Sequence, residues 1–200
     1  MKNEEIERIF DFIRELDKMK AIRRRNAVIC EDRKENDAEH SWHMAMMVPL
    51  LAKYSDEPID EGHTAILCLA HDLVEIYAGD TFCYDPKANL DKSQREISAA
   101  DKLFSLLEEP LSSEIRALWD EFEERKTPEA KFAAAMDRLQ PVLLNLANNG
   151  GTWVENGVSI LQVEKRIAPI KNSSEKLHAF LTEKITEAAE KGWLVKMKTE

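Results

Sequence analysis

Two hundred residues suffice for one domain with a real core, and 44% hydrophobic with 33% charged residues and only 6 Gly and 7 Pro describe a folded, helix-rich chain, not a disordered one. A formal net charge of −10 disfavours a nucleic-acid backbone as partner over most of the surface and leaves small anionic ligands open. Cys30, Cys68 and Cys83 form no CxxC pair and leave an odd thiol, the N-terminus has no apolar signal core, and the longest apolar run is interrupted by His71 and Asp72, so the expectation is a cytoplasmic protein with no membrane partner.

From Asn3, a candidate N-cap, the apolar residues Ile6, Ile9, Phe10, Ile13 and Leu16 fall at helical spacing. A charged segment follows from Arg23 to Asn36. Asp37 then caps a helix carrying His40, His43, Met44, Met47, Leu51 and Tyr54 on one stripe, with a kink expected at Pro49. Asp60 caps a third helix, apolar almost all round from Ala65 to Ala78 and stopped by Gly79, which reads as the central helix. Residues 81–90 read as a loop, followed by helices near 91–108 and 113–125. Thr127-Pro128-Glu129 starts a helix that runs to Asn148-Asn149-Gly150-Gly151, and two more follow at about 157–168 and 174–191. No segment alternates as a strand for long, so the fold class is all-α.

On the third helix His71, Asp72 and Glu75 stand among apolar neighbours, and burying three ionisable groups is costly without compensation. A divalent cation supplies it. His71 and Asp72 lie about 100° apart around a helix, close enough to converge on one ion, with Glu75 one turn further along. His40, or His43 one turn on, is a candidate third ligand. Asp137 is the next, an acid on the stripe Ala130, Ala133, Ala134, Pro141 and Leu144; the alternative for it is a buried salt bridge to an arginine. Two imidazoles with two carboxylates suit one divalent transition metal (Mn, Co, Fe, Zn or Ni, with Mg possible) and leave open positions for water and substrate, with Glu75 able to exchange protons. The basic run from Lys18 to Arg25 reads equally as a phosphate site or a solvated helix end, and Arg33 is a weaker phosphate candidate. Trp42, Trp119 and Trp153 read as core, His63 and His178 as surface.

The pattern His40…His71-Asp72…Asp137 resembles the H…HD…D signature of HD-domain metal-dependent phosphohydrolases. Residues 35–43 (ENDAEHSWH) and 71–80 (HDLVEIYAGD) are similar to the subgroup containing the bacterial 5′-deoxynucleotidases and their eukaryotic relatives. The resemblance covers about residues 6–150 and implies one HD-domain helical bundle over 1–200, with helices 151–200 appended to the metal-site core. It implies a metal held by His40, His71, Asp72 and Asp137, Glu75 assisting the attacking water, Asp80 contacting the sugar, and a homodimer. It also implies an arginine on the 5′-phosphate, placed by spacing on Arg24 within the run Arg23-Arg24-Arg25; in the relatives an aromatic residue stands at the position of Arg25. The implied activity is hydrolysis of a small phosphate ester, a 5′-(deoxy)ribonucleoside monophosphate, to nucleoside and phosphate. The alternative is a nucleotide- or metabolite-binding regulatory protein without turnover.

Overall fold

The computed structural model describes residues 2–195. Helix α1 (Lys2–Leu16) sets Glu4 and Glu5 in its first turn, where the helix dipole favours them. It includes Lys2, so Asn3 lies inside the helix and does not cap it. Its buried stripe is also rotated from the expected one. Phe12 is buried with Ile9 and Leu16 beside it, at spacings of three and four, while Ile6, Phe10 and Ile13 remain about half exposed.

A 3-10 turn, Asp17–Ala21, leads to a departure from the purely helical reading. Strand β1 (Arg23–Ala27) pairs antiparallel with β2 (Lys34–Asn36), Arg23 opposite Asn36 and Ala27 opposite Lys34. The ribbon carries polar and charged side chains on both strands, so no apolar alternation announces it. Two asparagines tie it to the helical body, Asn148 Nδ2 donating to Ala27 O at 3.0 Å and Asn26 Nδ2 to Pro141 O at 3.4 Å. The fold class remains all-α.

Helix α2 (Asp37–Leu51) is capped by Asn36, one residue earlier than expected, through a reciprocal box in which Asn36 Oδ1 accepts from Glu39 N and Glu39 Oε2 accepts from Asn36 N. Asp37 is thereby the first helical residue and fully buried. The helix continues through Pro49 and buries His40, Met44, Met47 and Val48. Trp42, two residues and so about 200° around the helix from His40, is 62% exposed, against the expectation that it is core; Met46 and Leu50 extend the same outward stripe.

Helix α3 (Glu61–Ala70) is capped by Asp60, which accepts from His63 N. It does not run on to Ala78 as a single helix. Over residues 71–74 the chain tightens to bonds spanning three residues, Leu73 N to Ala70 O and Glu75 N to Asp72 O, before a single turn, α4 (Glu75–Ala78), ends at Gly79 with φ 74°. The His-Asp pair therefore sits on a constricted turn.

After the loop come α5 (Lys92–Phe104), α6 (Leu111–Glu124) and α7 (Pro128–Ala147), then the short α8 (Gly151–Glu155), α9 (Ile160–Ile167), a 3-10 turn over Ala168–Asn172, and α10 (Glu175–Glu190). The central helix is α7, not α3. Thr127 caps it, Pro128 opens it, and buried Ala130, Ala133, Ala134 and Ala135 admit α2, α3, α6 and α9 around it, whereas α3 leaves Ile66 and Leu69 about half exposed.

Two apolar clusters result. The larger gathers α2, α3, α7 and the C-terminal helices around Phe132, Met136 and Trp153; the smaller joins Phe12 and Val74 to α5 and α6 through Leu103, Phe104 and Trp119. Residues 71–74 bridge them, since Leu67 and Cys68 belong to the first and Val74 to the second. No helix among the described residues is long and apolar enough to cross a membrane.

Phe132→Ala, at a fully buried ring, should cost about 3–5 kcal/mol, read as a lower urea midpoint at unchanged slope. Phe180→Ala, at a ring 54% exposed, should change stability by no more than about 0.5 kcal/mol.

Candidate metal and phosphate site

The tightened turn after α3 carries Asp72 and, just before it, His71. Its ring is held by Cys68, whose carbonyl oxygen only accepts, so His71 Nδ1 must donate in the 2.8 Å bond between them. When neutral, His71 presents the Nε2 lone pair inward; burial lowers its pKa, but Asp72 beside it outweighs burial and raises it above the ordinary value. His40 is held similarly, its Nδ1 3.0 Å from Gln140 Oε1, and the two rings lie 5.5 Å apart. Both Nε2 atoms are buried, and neither has a hydrogen-bond partner among the described residues.

These two nitrogens face two carboxylates. Asp72 Oδ2 lies 3.0 Å from His71 Nε2 and 3.9 Å from His40 Nε2, and Asp137 Oδ1 lies 3.6 Å from His40 Nε2. One ligand atom each from His40, His71 and Asp72 falls within 4.8 Å of the others. Two unshared imidazole nitrogens beside two carboxylates form a donor set that suits a divalent ion, so the residues fit the metal that their pattern implies. His43 stands outside the cluster; its Nδ1 accepts from Gln140 Nε2 at 3.2 Å. Asp137 makes the salt bridge named as its alternative, its Oδ2 accepting from Arg166 Nη2 at 2.8 Å, while its Oδ1 faces His40.

Alternation along β1 settles which of the three arginines turns inward. Arg23 and Arg25 are exposed, and Arg24 between them is 13% exposed. Its Nη1 donates to Asp72 Oδ2 at 2.7 Å and to Asp37 Oδ1 at 3.2 Å, and lies 3.8 Å from Asp80 Oδ1; its Nε lies 3.9 Å from Glu35 Oε2. Arg25 lies across the Phe82 ring instead, at 5.7 Å. Arg33 is not brought to the site. It forms a two-pronged pair with Glu39 and a third bond to Glu31, bracing the cap of α2 from outside.

The carboxyls divide by environment. Burial raises the Asp72 and Asp137 carboxyls, but His71 and Arg24 beside the first and Arg166 with His40 beside the second outweigh it and hold both below the usual range. Burial raises Glu75 well above its ordinary value, reinforced by Asp72 and Asp37, and raises Asp37 and Asp80 too. Two acids are thus favoured as carboxylates beside a Glu75 whose proton burial holds more tightly than usual, the separation that acid–base chemistry needs. Burial, with Arg24 next, pulls His40 down to about 4, which leaves it neutral.

Sequence reasoning missed several lining groups. Asp37 reads as a cap because it precedes an apolar stripe, yet its carboxylate faces Arg24. Gln140, three residues after Asp137, links His40, His43 and Glu35, donating to Glu35 Oε1 at 2.6 Å. The segment after Gly151, expected from the sequence to add nothing to the resemblance, contributes Trp153 and Arg166 to the pocket wall.

Residues 16–178 match the HD domain family. The chain belongs to the HD domain family. Among HD relatives, a Bos taurus protein named 5′-deoxynucleotidase HDDC2 is 32% identical over 136 residues, 68% of this chain and 65% of that protein, and its Homo sapiens counterpart is 29% identical over the same length and shares. The match therefore spans slightly under two thirds of those relatives. A crystal structure described as a predicted metal-dependent phosphohydrolase from Magnetospirillum magnetotacticum MS-1 superposes with a TM-score of 0.90 at 44% identity, covering 96% of both chains. A Pyrococcus horikoshii OT3 protein shares the fold alone, at 20% identity and a TM-score of 0.63 over 91% of this chain and 99% of that one.

Burial raises Glu35 to about 7, so the folded chain holds this proton more tightly than the unfolded chain. The resulting stabilisation is complete at low pH and lost as the pH rises through about 7. In chelator-treated protein, the stability of wild type relative to Glu35→Gln should fall between pH 5 and pH 8, by at most about 1.4 kcal/mol per pH unit, in urea titrations of both. A difference independent of pH would show that Glu35 is ionised throughout.

Proposed function

We propose that this HD-domain protein is a metal-dependent phosphomonoesterase that hydrolyses a small phosphate ester, a 5′-(deoxy)ribonucleoside monophosphate, to nucleoside and phosphate. The observation that carries the reading is the convergence of two unpartnered imidazole nitrogens, Asp72 and Asp137 beside the inward Arg24. The names of the relatives and of the Magnetospirillum protein support the same chemistry.

His40, His71, Asp72 and Asp137 would hold one divalent ion, Mn, Co, Fe, Zn or Ni, with Mg possible. When bound, the ion supplies a Lewis acid and lowers the pKa of a coordinated water towards neutrality. Arg24 would take phosphoryl oxygens through its fork as Asp72 turns to the ion. Glu75, three residues from Asp72 and with its carboxyl pKa raised by burial, would hold the proton exchanged between water and leaving oxygen. Asp80, just after the Gly79 stop and beside Arg24, would accept a hydrogen bond from a sugar hydroxyl. Gln140 would fix the His40 tautomer that leaves Nε2 free.

The same reading takes residues 1–200 as one HD domain and the protein as a cytoplasmic homodimer. The exposed stripe of Trp42, Met46 and Leu50 on α2 supports a second copy as its cover, and three free cysteines support a reducing compartment.

Phosphate release from a panel of 5′-ribo- and 5′-deoxyribonucleotides and sugar phosphates, each with Mn, Co, Mg and Zn, tests the activity. A metal-dependent 5′-nucleotidase should release phosphate only with an added ion and lose at least about 100-fold in kcat in Asp72→Ala. Tight nucleotide binding with no phosphate release under any metal would show a regulator instead. Gln140→Leu should weaken metal retention by about 10–100-fold, measured as metal content after dialysis against graded chelator.

A further inference from the structure

The two walls of the pocket differ in how their arginines are neutralised. On the ribbon wall four carboxylates lie within 4 Å of Arg24: Asp72, Asp37, Asp80 and Glu35. On the opposite wall Arg138 of α7 and Arg166 of α9 share a single carboxylate, Asp137, which is itself a candidate metal ligand. Arg166 Nη2 donates to Asp137 Oδ2 at 2.8 Å, whereas Arg138 Nη1 lies 3.9 Å from that oxygen, beyond hydrogen-bond reach.

Arg138 is 6% exposed. Among the described residues its one hydrogen bond runs from Nη1 to Ala134 O at 2.6 Å, and its buried Nε has no partner. A buried guanidinium without a hydrogen-bonded anion is destabilising. Two guanidiniums for one carboxylate, with Glu123 and Arg125 offsetting one another farther from Arg138, leave a surplus positive charge on this wall, which lines the same cavity as Arg24, His71 and Asp72. Any cation drawn to Asp137 enlarges that surplus. A compact dianion able to accept from several N–H groups is its chemical complement.

We infer that Arg138 and Arg166 form an anion subsite for a phosphate group on the α7–α9 wall, so that the pocket grips phosphate from two sides. The inference rests on the phosphate-ester reading above and adds to it a second wall, supplied partly by the C-terminal helices. The group bound is either the phosphoryl group that is cleaved, or a second phosphate on the substrate.

The test is calorimetric titration of inorganic phosphate into Mn²⁺-saturated wild type, Arg138→Met, Arg166→Met and Arg166→Lys, with metal content measured on each. The expected result is a Kd for phosphate at least about tenfold weaker in either Met variant, an intermediate loss in Arg166→Lys, and unchanged metal stoichiometry. Phosphate affinity within twofold of wild type in the Arg166 variants would overturn the inference. So would a loss of metal from Arg166→Met with normal phosphate affinity once metal is saturating, which would make Arg166 only a support for Asp137. Should Arg138→Met fail to fold, the Arg166 pair decides.

A kinetic arm separates the two sources of the phosphate. Equal losses of kcat/KM on nucleoside 5′-monophosphates and 3′,5′-bisphosphates assign the subsite to the cleaved group, and a loss confined to bisphosphates assigns it to a second phosphate. Wild type that hydrolyses no nucleotide would refute the proposed activity, while the phosphate isotherms would still decide the subsite.

Discussion

Concentrated charge without water is the constraint around which this molecule is arranged. Residues 71–74 carry a histidine and an aspartate across the seam between two apolar clusters, where neither can be hydrated freely. Elements distant in sequence contribute groups that answer that charge: His40 from α2, Arg24 from β1 and Asp137 from α7, itself paired with Arg166 from α9. The tightened turn matters because it ends the regular course of α3 at the His-Asp pair and leads through bonds spanning three residues into the separate turn that carries Glu75.

A second layer keeps those groups pointed correctly. The Cys68 carbonyl and the Gln140 amide occupy the Nδ1 atoms of His71 and His40, and Glu35 holds Gln140 in turn. Such outer contacts determine which nitrogen is free and so govern ligand strength as much as the ligands do. Gln140 and Asp137 lie three residues apart on α7, so one helix face delivers both a candidate ligand and the brace for another.

Much of this was legible from residue types and spacing. An acid on an alanine face marked Asp137 as a candidate, and a His-Asp-x-x-Glu run in an apolar stretch marked His71, Asp72 and Glu75, because burial of ionisable groups is rarely idle. Other features escaped for identifiable reasons. Apolar residues on α3 suggested a central helix, but alanines on α7 permit closer approach and win that place. Arg33 resembled a phosphate ligand, though acids at positions 31 and 39 claim it locally. Trp42 was expected in the core because of its size, although its helical phase relative to His40 points it outward. Arg166 is 29 residues from Asp137, and no periodicity in the last fifty residues reveals that α9 folds back over the pocket.

The ribbon has a consequence for tolerance to change. In a two-residue repeat, a slip of one position exchanges the faces of a strand, and a lone arginine on β1 would then be lost to solvent. Here the inward position is flanked on both sides by the same residue type, in the run Arg23-Arg24-Arg25. A one-residue slip of β1 therefore still turns an arginine to the inward face, and the repetition acts as insurance against error in the least regular part of the fold.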